Sequence, residues 1–95
     1  METPHAFEWD KRKRRSNLVK HGIDFIDAIA IFNDPYLMIQ EDDRENYGEP
    51  RFHAIGEARG NLVLVVYALR DDVTRIISAR KATKRERQAY YRNAR

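Results

Sequence analysis

The spacing of apolar and polar positions predicts a small fold that combines helices with strands. Phe25, Ala28, Ile29 and Phe32 recur at the spacing of one helical face, which predicts a helix that faces the core. Residues 62–66 are all apolar, so this segment is expected to be a strand buried on both faces, in the middle of a sheet.

Capping and turn residues set the ends of the elements. Asp10 and Asp24 stand where two helices need an N-cap, and Gly22 stands where a helix end favours a left-handed residue. Thr83-x-x-Glu86 is a capping box. Helices are predicted at 11–20, at 25–33 and after residue 83, and strands at 5–9, 36–40, 51–58, 62–69 and 73–79. These elements predict an α+β fold, a small antiparallel sheet of three or four strands with helices packed against one face.

Length and composition narrow the class of protein. Ninety-five residues predict a single domain over 1–95, and a hydrophobic fraction of 42% is ordinary for a folded chain. The absence of cysteine excludes disulfides and thiol chemistry. No apolar run approaches the ~20 residues of a membrane span, and the N-terminus carries no apolar signal segment. We therefore expect a cytoplasmic protein that does not contact a membrane.

Charge is distributed unevenly along the chain. The formal net charge is only +3, yet residues 73–95 hold eight Lys/Arg and one Glu, whereas residues 34–50 hold six Asp/Glu and one Arg. Residues 11–15 are five consecutive cations. Focused positive charge of this kind favours a polyanion partner, RNA or DNA. The alternative interpretation is that these charges form solvated helix faces.

Strand alternation indicates where chemistry could be concentrated. In the last strand, alternation predicts that Ile76, Ser78 and Arg80 point one way and that Arg75, Ile77, Ala79 and Lys81 point the other. An open sheet face is expected to collect four side chains from three strands: Arg51, His53, Tyr67 and Arg80. Arginine neutralises a phosphate in a transition state, and His or Tyr moves protons, so this set suits RNA cleavage without a metal.

Each of these side chains also has a structural interpretation. Arg51 would pair with Glu49, Arg80 would brace the C-terminal helix, and His53 and Tyr67 would be ordinary strand residues. No metal is expected, because the three histidines lack ligand spacing and the acidic residues of 41–49 lack an EF-hand pattern.

Three segments of the chain, in order, resemble the BrnT family of toxins. The first is Phe7-Glu8-Trp9-Asp10 followed by Lys13, Asn17 and Lys20-His21-Gly22-Ile23-x-Phe25, the second is Arg51-Phe52-x-x-Ile55-Gly56, and the third is Arg75-Ile76-Ile77-Ser78-Ala79-Arg80-Lys81-Ala82-Thr83-x-x-Glu86-Arg87. The resemblance extends from Phe7 to about Tyr91.

The resemblance implies a ribonuclease toxin of a type II toxin–antitoxin system, with a fold similar to that of RelE-type toxins. It implies RNA cleavage that inhibits translation and needs no metal or other cofactor. It also implies a BrnA-type antitoxin, which carries a ribbon-helix-helix DNA-binding domain, forms a hetero-oligomer with the toxin and brings it to operator DNA. A non-catalytic nucleic-acid-binding module is the alternative function.

The resemblance and the strand pattern together give the candidate site residues. The catalytic candidates are Arg80, Arg51, Tyr67, His21 and His53, and the RNA-binding candidates are Lys13, Lys81, Lys84 and Arg85. Arg80 is the first choice for phosphate stabilisation and Arg51 the second. His21 stands at a helix end, where a capping role competes with catalysis.

Overall fold

The computed structural model describes residues 6–94, which form a five-stranded sheet with helices. The elements are β1 (Ala6–Glu8), α1 (Lys11–His21), α2 (Phe25–Ala28), a 3-10 helix (Ile29–Asn33), β2 (Met38–Glu41), β3 (Arg51–Ala58), β4 (Asn61–Arg70), β5 (Val73–Lys81) and α3 (Lys84–Asn93). The strand order is β1-β5-β4-β3-β2, so the apolar β4 is central, as predicted. The α+β class is confirmed, but the sheet is mixed because β1 pairs parallel with β5. His5, with which the first strand was expected to begin, lies outside the described residues.

Helix α1 begins and ends where its capping residues predict. The Asp10 carboxylate accepts hydrogen bonds from the backbone N–H groups of Arg12 and Lys13 at 2.8 and 3.1 Å. Gly22 ends the helix with a φ of 71°, a left-handed conformation that costs glycine little. In the middle of the helix, the buried Asn17 amide bonds both the N–H and the C=O of Ala79 in β5. A helix with almost no apolar side chains is thus fixed to the sheet by one polar residue.

The second predicted helix changes its winding along its length. Asp24 caps it, and after Ala28 it tightens into the 3-10 helix. Phe25, Ala28 and Phe32 of the predicted stripe are buried against the sheet, but Ile29 is only partly buried and Ile31 is fully buried instead, because the tighter winding turns a different residue inward. The contact is close at Gly56, where a Cβ would lie 2.9 Å from the Cβ of Ile31. We call the sheet face that carries these contacts the α1 face.

Helix α3 packs on the opposite face, which we call the α3 face. Tyr90 forms a second core cluster with Ile55, Leu62, Leu64 and Ala82. The expectation that all helices pack on one face is therefore wrong. The reason lies in β4, which is apolar on both sides and needs cover on both. No helix in the described part of the chain has the length and apolarity that a membrane span requires.

A β-bulge in β5 changes which side chains share a face. Val66 pairs with Ser78 but Tyr67 pairs with Ile76, so Ile77 is an extra residue in β5. Ile76 and Ala79 consequently both lie in the core of the α1 face. The predicted alternation of this strand is wrong beyond the bulge, because one inserted residue reverses the phase.

Candidate active site

The α3 face carries three rows of cross-strand neighbours, because paired residues on adjacent strands lie on the same side of a sheet. The first row is Arg51, Ala68 and Arg75, the second is Gln40, His53, Val66 and Ser78, and the third is Met38, Ile55, Leu64 and Arg80. Helix α3 covers the third row. Arg51 and Arg80 are therefore on one face, as predicted, with His53 in the row between them.

Arg51 and Arg80 do not stand side by side. Two strand spacings and four residues of strand separate them, which places their Cα atoms roughly 16 Å apart. Arg75 is closer to Arg51, because only Ala68 separates them within one row. The face therefore presents two arginines on one side of His53 and one on the other.

Arg80 braces α3 through a bidentate ion pair. Its Nη1 and Nη2 atoms donate to the two carboxylate oxygens of Glu86 at 2.8 and 3.0 Å, and Nη1 also donates to the carbonyl of Lys81. Glu86 also completes the predicted capping box with Thr83. The hydrogen bond from Arg80 lowers the pKa of Glu86 to about 2, so this carboxylate is ionised at neutral pH.

The ion pair leaves one edge of the Arg80 guanidinium without a partner. Arg14, Arg44 and Arg70 each engage a carboxylate through Nε and Nη2. Arg80 uses its Nη1 and Nη2 atoms instead, and its Nε donates to no acceptor within residues 6–94. Since guanidinium has five N–H groups in a fixed fork, the Nε edge is available for a second anion. Its side chain is 37% exposed, which gives such an anion access.

His53 is oriented by a buried carboxylate. Its Nε2 atom lies 3.1 Å from Oδ2 of Asp42, whose side chain is 3% exposed. Hydrogen bonds from Arg44 hold the pKa of Asp42 well below its usual range, so the carboxylate is ionised and can only accept. Nε2 of His53 must then carry a hydrogen, and in the neutral ring Nδ1 is the acceptor.

The same loop holds Arg51. The guanidinium lies over the ring of Tyr47, 4.1 Å from its centroid, and the Tyr47 hydroxyl donates to Asp42 at 3.3 Å. Among residues 6–94, no acceptor reaches the buried Nε of Arg51, which costs about 1–3 kcal/mol of stability. Glu49 pairs with Arg70 rather than Arg51, so the structural interpretation of Arg51 as a partner of Glu49 is wrong.

A groove of about 210 Å³ opens beside His53, between α3 and the sheet. Gln40 and His53 line it from the sheet, and Arg85 and Glu86 line it from the first turn of α3. A strand of nucleic acid along this groove would pass from the Arg51 side of His53 toward Arg80 and Arg85. The α3 face therefore combines cations of a kind suited to phosphate with one oriented proton acceptor, and we call it the candidate active face.

Comparison with known proteins identifies the family of the chain. The family model for BrnT, described as a ribonuclease toxin of a type II toxin–antitoxin system, matches residues 9–86. The chain belongs to the BrnT family. No curated protein matches the chain. Membership establishes a ribonuclease toxin that is paired with an antitoxin.

Tyr67 is not part of the candidate active face. It lies on the α1 face, 5% exposed, between the rings of Phe32 and Phe52. Burial raises the pKa of its hydroxyl, so even less of the phenolate is present at neutral pH and the hydroxyl is a poorer proton donor. The expectation that Tyr67 joins Arg51, His53 and Arg80 is wrong, because its register partner is the core residue Ile76.

His21 is also away from the candidate active face. It is the last residue of α1, beside the Gly22 cap, and Asn17 of this helix bonds the backbone of Ala79 at the edge of β5, whereas His53 lies on β3. The position is the one that favours a cation at a helix C-terminus.

The four predicted RNA-binding residues divide between the two faces. Arg85 and Lys84 are exposed in the first turn of α3, and Arg85 lines the groove beside His53. Lys13 is exposed on α1, and Lys81 pairs with Val63 on the α1 face. Of these four residues, Arg85 alone lines the groove.

Two residues of the site had not been predicted. Arg75 reaches the α3 face through the bulge and pairs weakly with Glu8 at 3.4 Å. Asp42 becomes the anchor of His53 because the β2–β3 pairing places it opposite Arg51. The Asp-Asp pair at 42–43 was visible in the sequence but did not reveal which carboxylate turns inward. Within residues 6–94, no three His, Asp or Glu side chains converge as a metal site.

Proposed function

We propose that this BrnT toxin is a metal-independent endoribonuclease that inhibits translation by cutting RNA across the α3 face. The observation that carries the proposal is the position of His53. It is flanked by Arg51 and Arg75 on one side and by Arg80 on the other, and its ring is oriented by Asp42.

The proposed reaction is an internal transfer at one phosphodiester. Nδ1 of His53 accepts the 2′-hydroxyl proton while the 2′-oxygen forms a bond to the adjacent phosphorus. The bond from phosphorus to the 5′-oxygen breaks, and that oxygen takes a proton from solvent. The products are a 2′,3′-cyclic phosphate and a 5′-hydroxyl, so no oxidant, metal or external nucleophile is consumed.

The arginines would stabilise the charge that develops on the phosphoryl oxygens. The free Nε edge of Arg80 supports its role as one clamp, and Arg51 with Arg75 would form the other. Lys84 and Arg85 would bind phosphates that flank the cut. The partner is proposed to be a BrnA-type antitoxin whose ribbon-helix-helix domain binds operator DNA.

Cleavage in the presence of a chelator tests the proposal. Purified toxin is incubated with single-stranded RNA and EDTA, and the product ends are identified by mass spectrometry. Cyclic phosphate ends are expected, with a rate that falls about 10²–10³-fold in Arg80→Ala and in Arg51→Ala.

Two outcomes would contradict the assignment. RNA binding without any product would favour the non-catalytic module. Growth arrest by both arginine variants, each folded by circular dichroism, would show that the reaction takes place elsewhere on the protein.

A further inference from the structure

Helix α1 carries charge that the fold does not use. It contains six Lys or Arg residues and no acidic residue, and Lys11, Arg12 and Lys13 occupy its first turn. Cations there oppose the helix dipole, and Lys11 and Arg15 repel each other at i,i+4 spacing. Of residues 11–15, only Arg14 has an acidic partner among the residues the structure describes, namely Asp24 at 2.7 Å. Repulsion among these cations therefore destabilises the helix, and an anionic partner that bound them would reduce this repulsion.

Apolar surface lies beside this charge. A groove of about 330 Å³ is lined by Trp9, Leu18, three cations and Asp24, the cations being Lys11, Arg14 and Arg15. Leu18 is 46% exposed and the neighbouring Val19 is 84% exposed. Because Asp24 is already paired with Arg14, the charge left in the groove is that of Lys11 and Arg15, and cations beside apolar surface fit a ligand that combines negative charge with apolar side chains.

These features favour an acidic protein segment over RNA. Arg14 already lies over the Trp9 ring, 5.9 Å from its centroid, and Phe25 packs against the same indole, so the ring is poorly placed to stack on a base. Exposed Leu18 and Val19 offer nothing to a phosphate backbone, whereas an apolar side chain of a protein would bury them.

We infer that α1 and its groove dock an acidic, partly apolar segment of the antitoxin. The partner's identity rests on the proposed function, whereas the groove and its charge do not. This docking surface lies on α1, which bonds the backbone of β5 at Ala79, whereas His53 lies on β3. Ala79 directly precedes Arg80, so a partner on α1 would lie beside the edge of the strand that carries Arg80.

Charge reversal on the two faces tests the inference. The cognate antitoxin is expressed with wild-type toxin, with Lys11→Glu/Arg15→Glu, and with Lys84→Glu/Arg85→Glu as the matched control on α3. The α1 double variant is expected to bind antitoxin about 10- to 100-fold more weakly while cutting RNA at the wild-type rate. The α3 double variant is expected to bind antitoxin normally and RNA more weakly. Leu18→Ala should weaken antitoxin binding by about tenfold.

The possible outcomes distinguish the proposed docking surface on α1 from the proposed RNA cleavage on the α3 face. Unchanged antitoxin affinity in Lys11→Glu/Arg15→Glu overturns the inference. Loss of oligouridine binding by that variant, with antitoxin binding retained, overturns it in favour of an RNA track. A toxin that cuts no RNA refutes the proposed function, yet the antitoxin titration still tests the docking surface.

Discussion

The two faces of one sheet differ in how completely they are covered, and the difference separates stability from function. On the α1 face, aromatic and aliphatic side chains continue along β4 from Val63 to Tyr67. On the α3 face, Leu62 and Leu64 are buried under α3, but beyond them the neighbours become His53, Ser78, Arg51 and Arg75. These four side chains are half-buried because the single short helix does not reach them, and polar side chains on rigid strands can then meet a substrate.

The largest expected difference between the faces concerns the rate of cleavage. We expect His53→Gln to cut RNA about 10²–10⁴-fold more slowly, because it removes the oriented proton acceptor. Tyr67→Phe, which removes a hydroxyl from the covered face, should cut within about twofold of wild type. Single-turnover cleavage of labelled RNA measures both variants. If both variants lost the same amount of cleavage activity, catalysis would not be confined to the α3 face.

The next effect concerns the contribution of helix α1 to the stability of the fold. Asn17→Ala removes three hydrogen bonds, including both bonds to Ala79, and leaves those strand groups without partners. Since each unsatisfied buried group costs about 1–3 kcal/mol, we expect the free energy of unfolding to fall by about 2–4 kcal/mol. Urea denaturation measures the change, and exposed Ser16→Ala on the same helix is the control. If Asn17→Ala lowered the free energy of unfolding no more than Ser16→Ala, other contacts would hold α1 to the sheet.

A smaller effect is the pH-dependent contribution of the Arg80–Glu86 ion pair to stability. This pair lies beside the candidate active face. Because Arg80 depresses the pKa of Glu86 from 4.5 to about 2, the pair stabilises the folded state above the unfolded pKa and ceases to do so as pH falls toward 2. The pair is partly exposed, so we expect Glu86→Gln to cost about 1–2 kcal/mol at neutral pH and almost nothing near pH 2. Glutamine keeps the capping box intact. Urea unfolding of the wild type and of Glu86→Gln, from neutral pH down to about pH 2, measures the difference between their free energies of unfolding. A difference that does not change with pH would contradict the stabilising role given to the Arg80–Glu86 pair.

The smallest effect separates stability from binding within α3. Lys84 stands in the first turn, where a cation opposes the helix dipole. Lys84→Glu should therefore raise the free energy of unfolding by about 0.3–1 kcal/mol while RNA binds more weakly. Arg92→Glu, at the favourable end of the same helix, is the control and should lower stability by a similar amount. If Lys84→Glu destabilised the protein, Lys84 would have a structural role on this face.

Much of the fold was predictable from local signals. Asp10, Gly22, Asp24 and Thr83 each cap a helix where the sequence placed them, since a cap depends only on a few adjacent residues. The all-apolar segment at 62–66 is the core of central strand β4, because a strand with two apolar faces must be covered on both.

The candidate site was predictable only in part. Arg51, His53 and Arg80 share a face as expected, but Tyr67 and His21 do not join them. The sequence alone determined the helix ends, the central strand and the concentration of cations in three segments. Tertiary structure decided that Ile77 forms a bulge in β5, which places Arg75 on the candidate active face. It also decided that Asp42 turns inward to His53. The physical reason is that strand alternation is a local rule, whereas a bulge and an inward carboxylate depend on partners that pairing of distant segments brings into contact.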